Sequence, residues 1–294
     1  MKFTGIMPAL ITPLNADETL NAACLAQILE AQLAQGADGF YVAGATGEGI
    51  ALSADVRRHL AQEAVRVVDH RKPVIIHIAS ANFNEAIALA KHAESCGADG
   101  ISAIPPLFFS YDTQEVYNYY KRLAEAVHIP LMIYYNPAAG FPMKADWVAK
   151  CFEVDNITAI KWTSSTYDQV VRLKDLTRGE MNIINGPDEM LLMGLNAGAD
   201  GGIGTTYNYL LPHYKQIFAS FHQGDFRTAQ SHQTYVNRII EVLKCYGVLP
   251  ASKVIMEQLG FPVGNCVFPM RRHTQEQRAA LIADLEKAGF SFGE

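Results

Sequence analysis

Cysteine is scarce and scattered. The 294 residues carry five, Cys24, Cys96, Cys151, Cys245 and Cys266, with no C-x-x-C pair and an odd total. That pattern speaks against a disulfide framework and leads us to expect reduced, inert thiols in a cytoplasmic protein. Nine histidines are spread without an H-x-x-x-H or a Cys/His cluster, so no metal site is expected. No excess of positive charge exists either. Lys and Arg number 24 against 30 Asp and Glu, for a formal charge of −6 with both signs interspersed. A nucleic-acid or anionic-membrane partner is not expected on that balance. No apolar stretch approaches the roughly 18 residues needed to span a bilayer. Met1 to Gly5 run straight into a strand-like segment, and no signal peptide is expected. No G-x-G-x-x-G follows the first strand candidate, which sets a doubly wound dinucleotide fold behind other α/β folds.

What the chain does have is apolar content, 49%, enough to fill a sizeable core. At this length it is either two average domains or one large α/β barrel. One internal repeat decides between them. Gly-Ala-Asp-Gly occurs at Gly36–Gly39, Gly97–Gly100 and Gly198–Gly201, each time after a helical pattern and before an apolar run. The first glycine suits the left-handed residue that ends a helix. The copies start 61 and 101 residues apart, about two and three-plus units of the roughly 30 residues of a βα unit. Eight strand candidates follow: Gly5–Thr12, Gly39–Ala43, Pro73–Ala79, Gly100–Ile104, Pro130–Tyr134, Ile157–Trp162, Asn182–Asn185 and Gly201–Ile203. Helices fill the gaps, among them Ser53–Val68, with Ser53 as its cap, and Asn84–Cys96. Eight alternating units predict a closed (β/α)8 TIM barrel over residues 1–221. Residues 222–294 read as a C-terminal helical extension (Phe226–Cys245, Pro250–Leu259, Thr274–Ala288). No Ser/Gly-rich linker precedes it, so barrel and extension are expected to form one structural unit.

Active sites of such barrels sit at the C-terminal ends of the strands. Lys72 precedes its strand and falls at the bottom, whereas Lys161 ends the sixth strand, in I-T-A-I-K-W-T-S-S, and falls at the top. An ammonium among apolar neighbours conflicts with local preference, and such conflicts mark sites. An amine nucleophile must be neutral. At a reference pKa near 10.4 only about one amine in 2,500 is neutral at pH 7, and burial is the lever that changes this. Imine formation with a carbonyl compound is one reading of Lys161, and a lysine snorkelling from the rim is the other. Strand two ends in Ala43-Gly44-Ala45-Thr46-Gly47-Glu48-Gly49, either a carboxylate- or phosphate-binding turn or an ordinary loop. Strand five ends in Tyr134-Tyr135-Asn136-Pro137. Alternation lets only one tyrosine face the pocket, as a proton relay or as packing. Strand seven ends in Gly186-Pro187-Asp188-Glu189, whose carboxylates either cap a helix or bind sugar hydroxyls. Strand eight ends in Gly204-Thr205-Thr206, where many barrels hold phosphate.

Taken together these stretches resemble the pyruvate-dependent aldolase family that contains N-acetylneuraminate lyase and dihydrodipicolinate synthase. The matching pieces are Gly44–Glu48, the Tyr134–Pro137 turn, Ile160–Ser164 and Gly198–Asn208, in order and in register over nearly the whole chain. Within the family, Lys161–Ser164, Gly186–Glu189 and Gly198–Asn208 look most like the sialate-lyase branch. The resemblance implies Lys161 as the imine-forming residue and Tyr134 as the relay. It implies Ala45 and Thr46 at the substrate carboxylate, and Thr163, Gly186, Asp188, Glu189 and Thr205 at the polyhydroxylated tail, with Ile203 lining the pyruvate end. It also implies no cofactor, a small keto-acid substrate and a homotetramer. Ala45 departs from the family's Ser or Thr, and Thr205 from its serine. Phe108 and Ala139 replace a tyrosine and an arginine of the synthase branch, which turns the reading away from that activity. An aldolase or dehydratase for another 2-keto-3-deoxy sugar acid, and a catalytically silent keto-acid-binding protein, are the alternatives.

Overall fold

The three Gly-Ala-Asp-Gly repeats do the structural work expected of them, and one thing more. In the computed structural model, which describes residues 2–292, Gly36, Gly97 and Gly198 all adopt positive φ (85°, 87° and 99°), each just past a helix end. The aspartates that follow turn back to the barrel floor. Asp38 Oδ2 accepts from the Ile6 amide, Asp99 Oδ2 from Val74 and Asp200 Oδ2 from Ile183, each at 2.8 Å. Each carboxylate thus satisfies a backbone donor at or just inside the N-terminal end of a strand. The closing glycines allow close approach: a Cβ at Gly201 would lie 2.2 Å from the Gly5 carbonyl oxygen.

Eight parallel strands result: β1 (Gly5–Pro8), β2 (Phe40–Val42), β3 (Val74–His77), β4 (Gly100–Ala103), β5 (Leu131–Tyr135), β6 (Ile157–Trp162), β7 (Asn182–Asn185) and β8 (Gly201–Gly204). They run in the order β1-β8-β7-β6-β5-β4-β3-β2, and the circle is closed by a single bridge, Ala9 to Tyr41, with the Leu10 amide donating to the Tyr41 oxygen at 2.9 Å. Between them run helices α1 (Ala22–Ala34), α2 (Ala54–Val68), α3 (Phe83–Ser95), α4 (Thr113–Ala124), α5 (Ala145–Phe152), α6 (Tyr167–Leu176) and α7 (Leu191–Asn196). Then follow α8 (Tyr207–His222), α9 (Phe226–Tyr246), α10 (Val248–Gln258) and α11 (Gln275–Lys287). The architecture is the expected TIM barrel, and its strands are buried on both faces, as parallel sheets covered by helices must be.

Boundaries differ in instructive ways. β1 stops at Pro8 rather than Thr12, because its neighbours β2 and β8 are only three and four residues long and offer no further ladder. β5 begins at Leu131 rather than Pro130, since proline has no N–H to donate. Helix α3 spans Phe83–Ser95 rather than Asn84–Cys96, because the Asn82 side chain caps it by accepting from the Asn84 and Glu85 amides. Ser53 caps α2 as expected. Met1, Gly293 and Glu294, at the expected limits of barrel and extension, lie outside the described residues.

Candidate active site

The upper end of the barrel carries a cluster of polar and aromatic side chains from adjoining strands. Lys161, near the end of β6, is buried, and its Nζ lies 4.3 Å from the Tyr134 ring centroid and 4.9 Å from that of Tyr41. Its strand neighbours Ile157, Ala159 and Ile160 are buried, so the amine stands in the dry setting that its sequence suggested. His77, at the end of β3, completes an aromatic triangle, with ring centroids 6.3 Å from Tyr41 and 6.0 Å from Tyr134. Burial first, then the Arg57 and Lys161 charges, pushes His77 down to about 3, so it stays neutral. The Tyr41 hydroxyl donates to Ser102 Oγ at 2.9 Å. From α2, the buried Arg57 guanidinium donates to the carbonyls of His77 and Ala79, both at 2.9 Å, and fixes the top of β3.

Between the two candidate tyrosines the structure makes a clear choice of position. Tyr134 stands beside Lys161, while Tyr135 packs on Trp162 with centroids 4.6 Å apart. Burial raises the Tyr134 phenol, but the Lys161 charge and hydrogen bonding with Asn136, Thr163 and Lys161 more than offset it, leaving it below the ordinary tyrosine range. A phenol so poised, in contact with an amine, can pass protons at the reacting centre.

The glycine-rich turn after β2 is less open than its sequence suggests. Gly49 donates to the Gly44 oxygen and Glu48 to the Ala45 oxygen, both at 3.1 Å, so two of its amides are used internally. Ala45 is exposed and Thr46 buried, and the Thr46 hydroxyl meets that of Thr205 at 2.7 Å. This contact joins the β2 turn to the end of β8, bringing the two loops into one site. Ile203 is fully buried within β8, paired in register with Met7.

A cavity of about 480 Å³ opens at the mouth, and its lining includes Thr163, Gly186, Asp188, Glu189 and Thr205. Five of the expected residues are therefore brought together. Gly186 is required by contact, since a Cβ there would lie 1.9 Å from Thr163 Oγ1. Of the two roles left open for it, Asp188 takes the capping one, at the helix that follows β8 rather than at its own. Its Oδ2 accepts from the Thr206 amide (2.7 Å) and hydroxyl (2.6 Å) at the start of α8, while the residue also lines the cavity. Burial, resisted by those Thr206 bonds, raises its carboxyl to about 6.

Several residues at this end escaped the sequence reading. Lys244 and Ile240 of α9 and Val248 of α10 also line the mouth. Lys244 Nζ lies 3.8 Å from Glu189 and 2.7 Å from Glu241. A sequence offers no signal for this, because the contact joins the barrel rim to a helix about fifty residues further on. Tyr41 and His77 were within reach, since both stand at upper strand positions like Lys161. Asn185 at the end of β7 shapes the loop that follows: it accepts from the Tyr167 hydroxyl at 2.8 Å and donates to the Pro187 oxygen at 2.7 Å.

Comparison with known proteins agrees with this architecture. The profile of the dihydrodipicolinate synthetase family matches residues 2–288. An N-acetylneuraminate lyase of Rhizobium meliloti is 33% identical over 281 residues, 96% of this chain and 94% of that protein. The structure of a Proteus mirabilis N-acetylneuraminate lyase superposes with a TM-score of 0.94 at 30% identity, covering 99% of this chain and all of the other. A Clostridium difficile protein, solved in complex with mannosamine, gives a TM-score of 0.94 at 29% identity over 98% of this chain and all of its own.

Proposed function

The chain belongs to the dihydrodipicolinate synthetase family, a family of pyruvate aldolases, and is a lyase; on that premise we propose that it cleaves N-acetylneuraminate reversibly to pyruvate and N-acetylmannosamine through an imine on Lys161. The observation that carries the reading is the placement of a buried lysine against a tyrosine of lowered pKa at the upper end of the barrel, the end at which a hydroxyl- and carboxylate-lined cavity also opens. The Lys161 amine adds to the C2 ketone of the open-chain sugar acid, and water leaves to give the iminium. Tyr134 takes the C4 hydroxyl proton as the C3–C4 bond breaks, and the bonding pair flows into the iminium to give an enamine. The aldehyde departs, C3 is protonated, and water releases pyruvate and restores the amine. The iminium is the electron sink, so the reading calls for no metal and no cofactor.

Thr46 and the Ala45 amide would hold the carboxylate, with Ile203 against the pyruvate end. Thr163, Gly186, Asp188, Glu189 and Thr205 would hold the tail. The relative solved with mannosamine supports an amino-sugar product. Ala45 and Pro187 favour a second reading, an aldolase or dehydratase for another 2-keto-3-deoxy sugar acid, and kcat/KM across a panel of keto acids separates the two. We further propose a cytoplasmic homotetramer. No helix among the described residues is long and apolar enough to cross a membrane. Phe108 and Phe109, 92% and 68% exposed, offer apolar surface of the kind that associates.

Borohydride in the presence of pyruvate should leave a stable adduct on Lys161, seen by peptide mass spectrometry. Lys161→Ala should abolish both the adduct and lyase turnover. Substantial activity in that variant would overturn the imine assignment, and keto-acid binding without an adduct would point to a silent binding protein.

A further inference from the structure

Two lysines are buried among the described residues, and the proposed chemistry uses only Lys161. The other, Lys253 on α10, lies in the helical extension. Its Nζ is 2.8 Å from Glu48 Oε1, and the two side chains are 3% and 0% exposed. Each group is held in a second direction as well. Glu48 Oε2 accepts from the Val267 amide at 2.6 Å, and Lys253 Nζ donates to the Asn265 oxygen at 2.8 Å. Glu48 belongs to the glycine-rich turn after β2, two residues beyond Thr46 and three beyond Ala45.

That turn is not a shape its own backbone prefers. Ala43 and Glu48 both adopt left-handed φ, 58° each, without being glycine. Gly49 passes so near Ala43 that a Cβ there would lie 1.8 Å from its oxygen. Surrounding structure must over-determine such a conformation. Thr12 supplies one anchor, donating to the Gly47 oxygen at 2.7 Å, and the Lys253–Glu48 pair supplies the other. A buried ion pair is a poor means of adding stability, since packed apolar groups of similar volume do as well. What it provides here is direction: each oxygen of Glu48 has a separate, fixed partner.

We infer that Lys253 is a positioning residue: its buried pair with Glu48 holds the β2–α2 turn, and so Ala45 and Thr46, in the shape that receives the keto-acid carboxylate. The inference rests on the keto-acid reading given above. It makes the helical extension part of the binding apparatus at the carboxylate end, through α10.

Two variants of the full chain test this, Lys253→Met and the double Glu48→Gln/Lys253→Met. The double variant leaves no unpaired buried charge, so it carries the test if the single one fails to fold. Hydrogen exchange of the peptide spanning residues 44–49, without ligand, should quicken about tenfold or more. Borohydride trapping on Lys161 should then be compared for pyruvate and for acetone, a ketone with no carboxylate. Trapping by subsaturating pyruvate should fall about tenfold, equivalent to about 1.4 kcal/mol, while trapping by acetone changes less than twofold. Unchanged exchange in a folded variant overturns the tether, and a parallel fall with both ketones overturns its specificity for the carboxylate. If the unaltered protein traps acetone but not pyruvate, the keto-acid reading fails along with the carboxylate role, whereas the exchange data still decide the tether.

Discussion

An amine that attacks a ketone has to be kept from water without being tied to an acid. Lys161 meets both conditions: it is buried, its near neighbours are the faces of Tyr41 and Tyr134, and among the described residues no carboxylate forms an ion pair with it. The proposed carboxylate end has a local weakness. Ala45 carries no hydroxyl, so Ala45→Ser should lower the KM for pyruvate-type keto acids about fivefold, the worth of one added hydrogen bond of about 1 kcal/mol, in steady-state kinetics. An unchanged KM would remove Ala45 from the carboxylate site. In the proposed tail site Asp188 would set a pH limit. With its carboxyl raised to about 6, it is protonated below that value and ionised above it, and the proposed role of accepting substrate hydroxyls calls for the ionised form. The kcat/KM profile should therefore carry an acid limb near pH 6 that Asp188→Asn flattens, with the Asn oxygen still able to accept from Thr206. Lys161 was legible from its sequence because a lysine among Ile and Ala in a strand is out of place. Lys244 was not, because nothing on α9 distinguishes a rim lysine from a solvated one.

At the scale of elements, the glycines of the repeats were readable and the aspartates were not. A glycine after a helix announces a left-handed turn by its own backbone freedom, as Gly36, Gly97 and Gly198 bear out. The aspartate depends on which strand end lies opposite. Asp99 bonds the Val74 amide on the preceding strand, a contact fixed by barrel register. Asp99→Ala leaves that amide without its partner and should cost about 1–2 kcal/mol in urea unfolding. No measurable loss would mean that water serves it equally well. The turns above the barrel follow the same rule. Asp188 and Glu189 were placed by their sequence at a strand end, but their backbone oxygens are held by Gln233 (3.2 Å) and Asn237 (3.1 Å) from α9.

For the whole molecule, the extension braces two loops of the site: α9 supports the turn after β7, and α10 grips the turn after β2. A barrel alone would present both loops without these supports. The exposed Phe108 and Phe109 belong to the same scale, since apolar surface of that kind is stable when covered. Sedimentation equilibrium should give a particle of four times 32.3 kDa. A mass that stays at one chain across micromolar concentrations would end the tetramer proposal.

The sequence by itself determined the eight-fold βα pattern, the helical character of its last quarter and the lysine at the top of β6. These rest on periodicity, backbone freedom and the misfit of a charge among apolar neighbours, all of them local. Only the tertiary structure decided which tyrosine stands beside that lysine, that Thr46 meets Thr205, and that Glu48 is paired with Lys253. Such contacts depend on strand register and on how a helix from one end of the chain lies across a loop from the other. No local pattern encodes that distance, and closing the barrel is what brings it within reach.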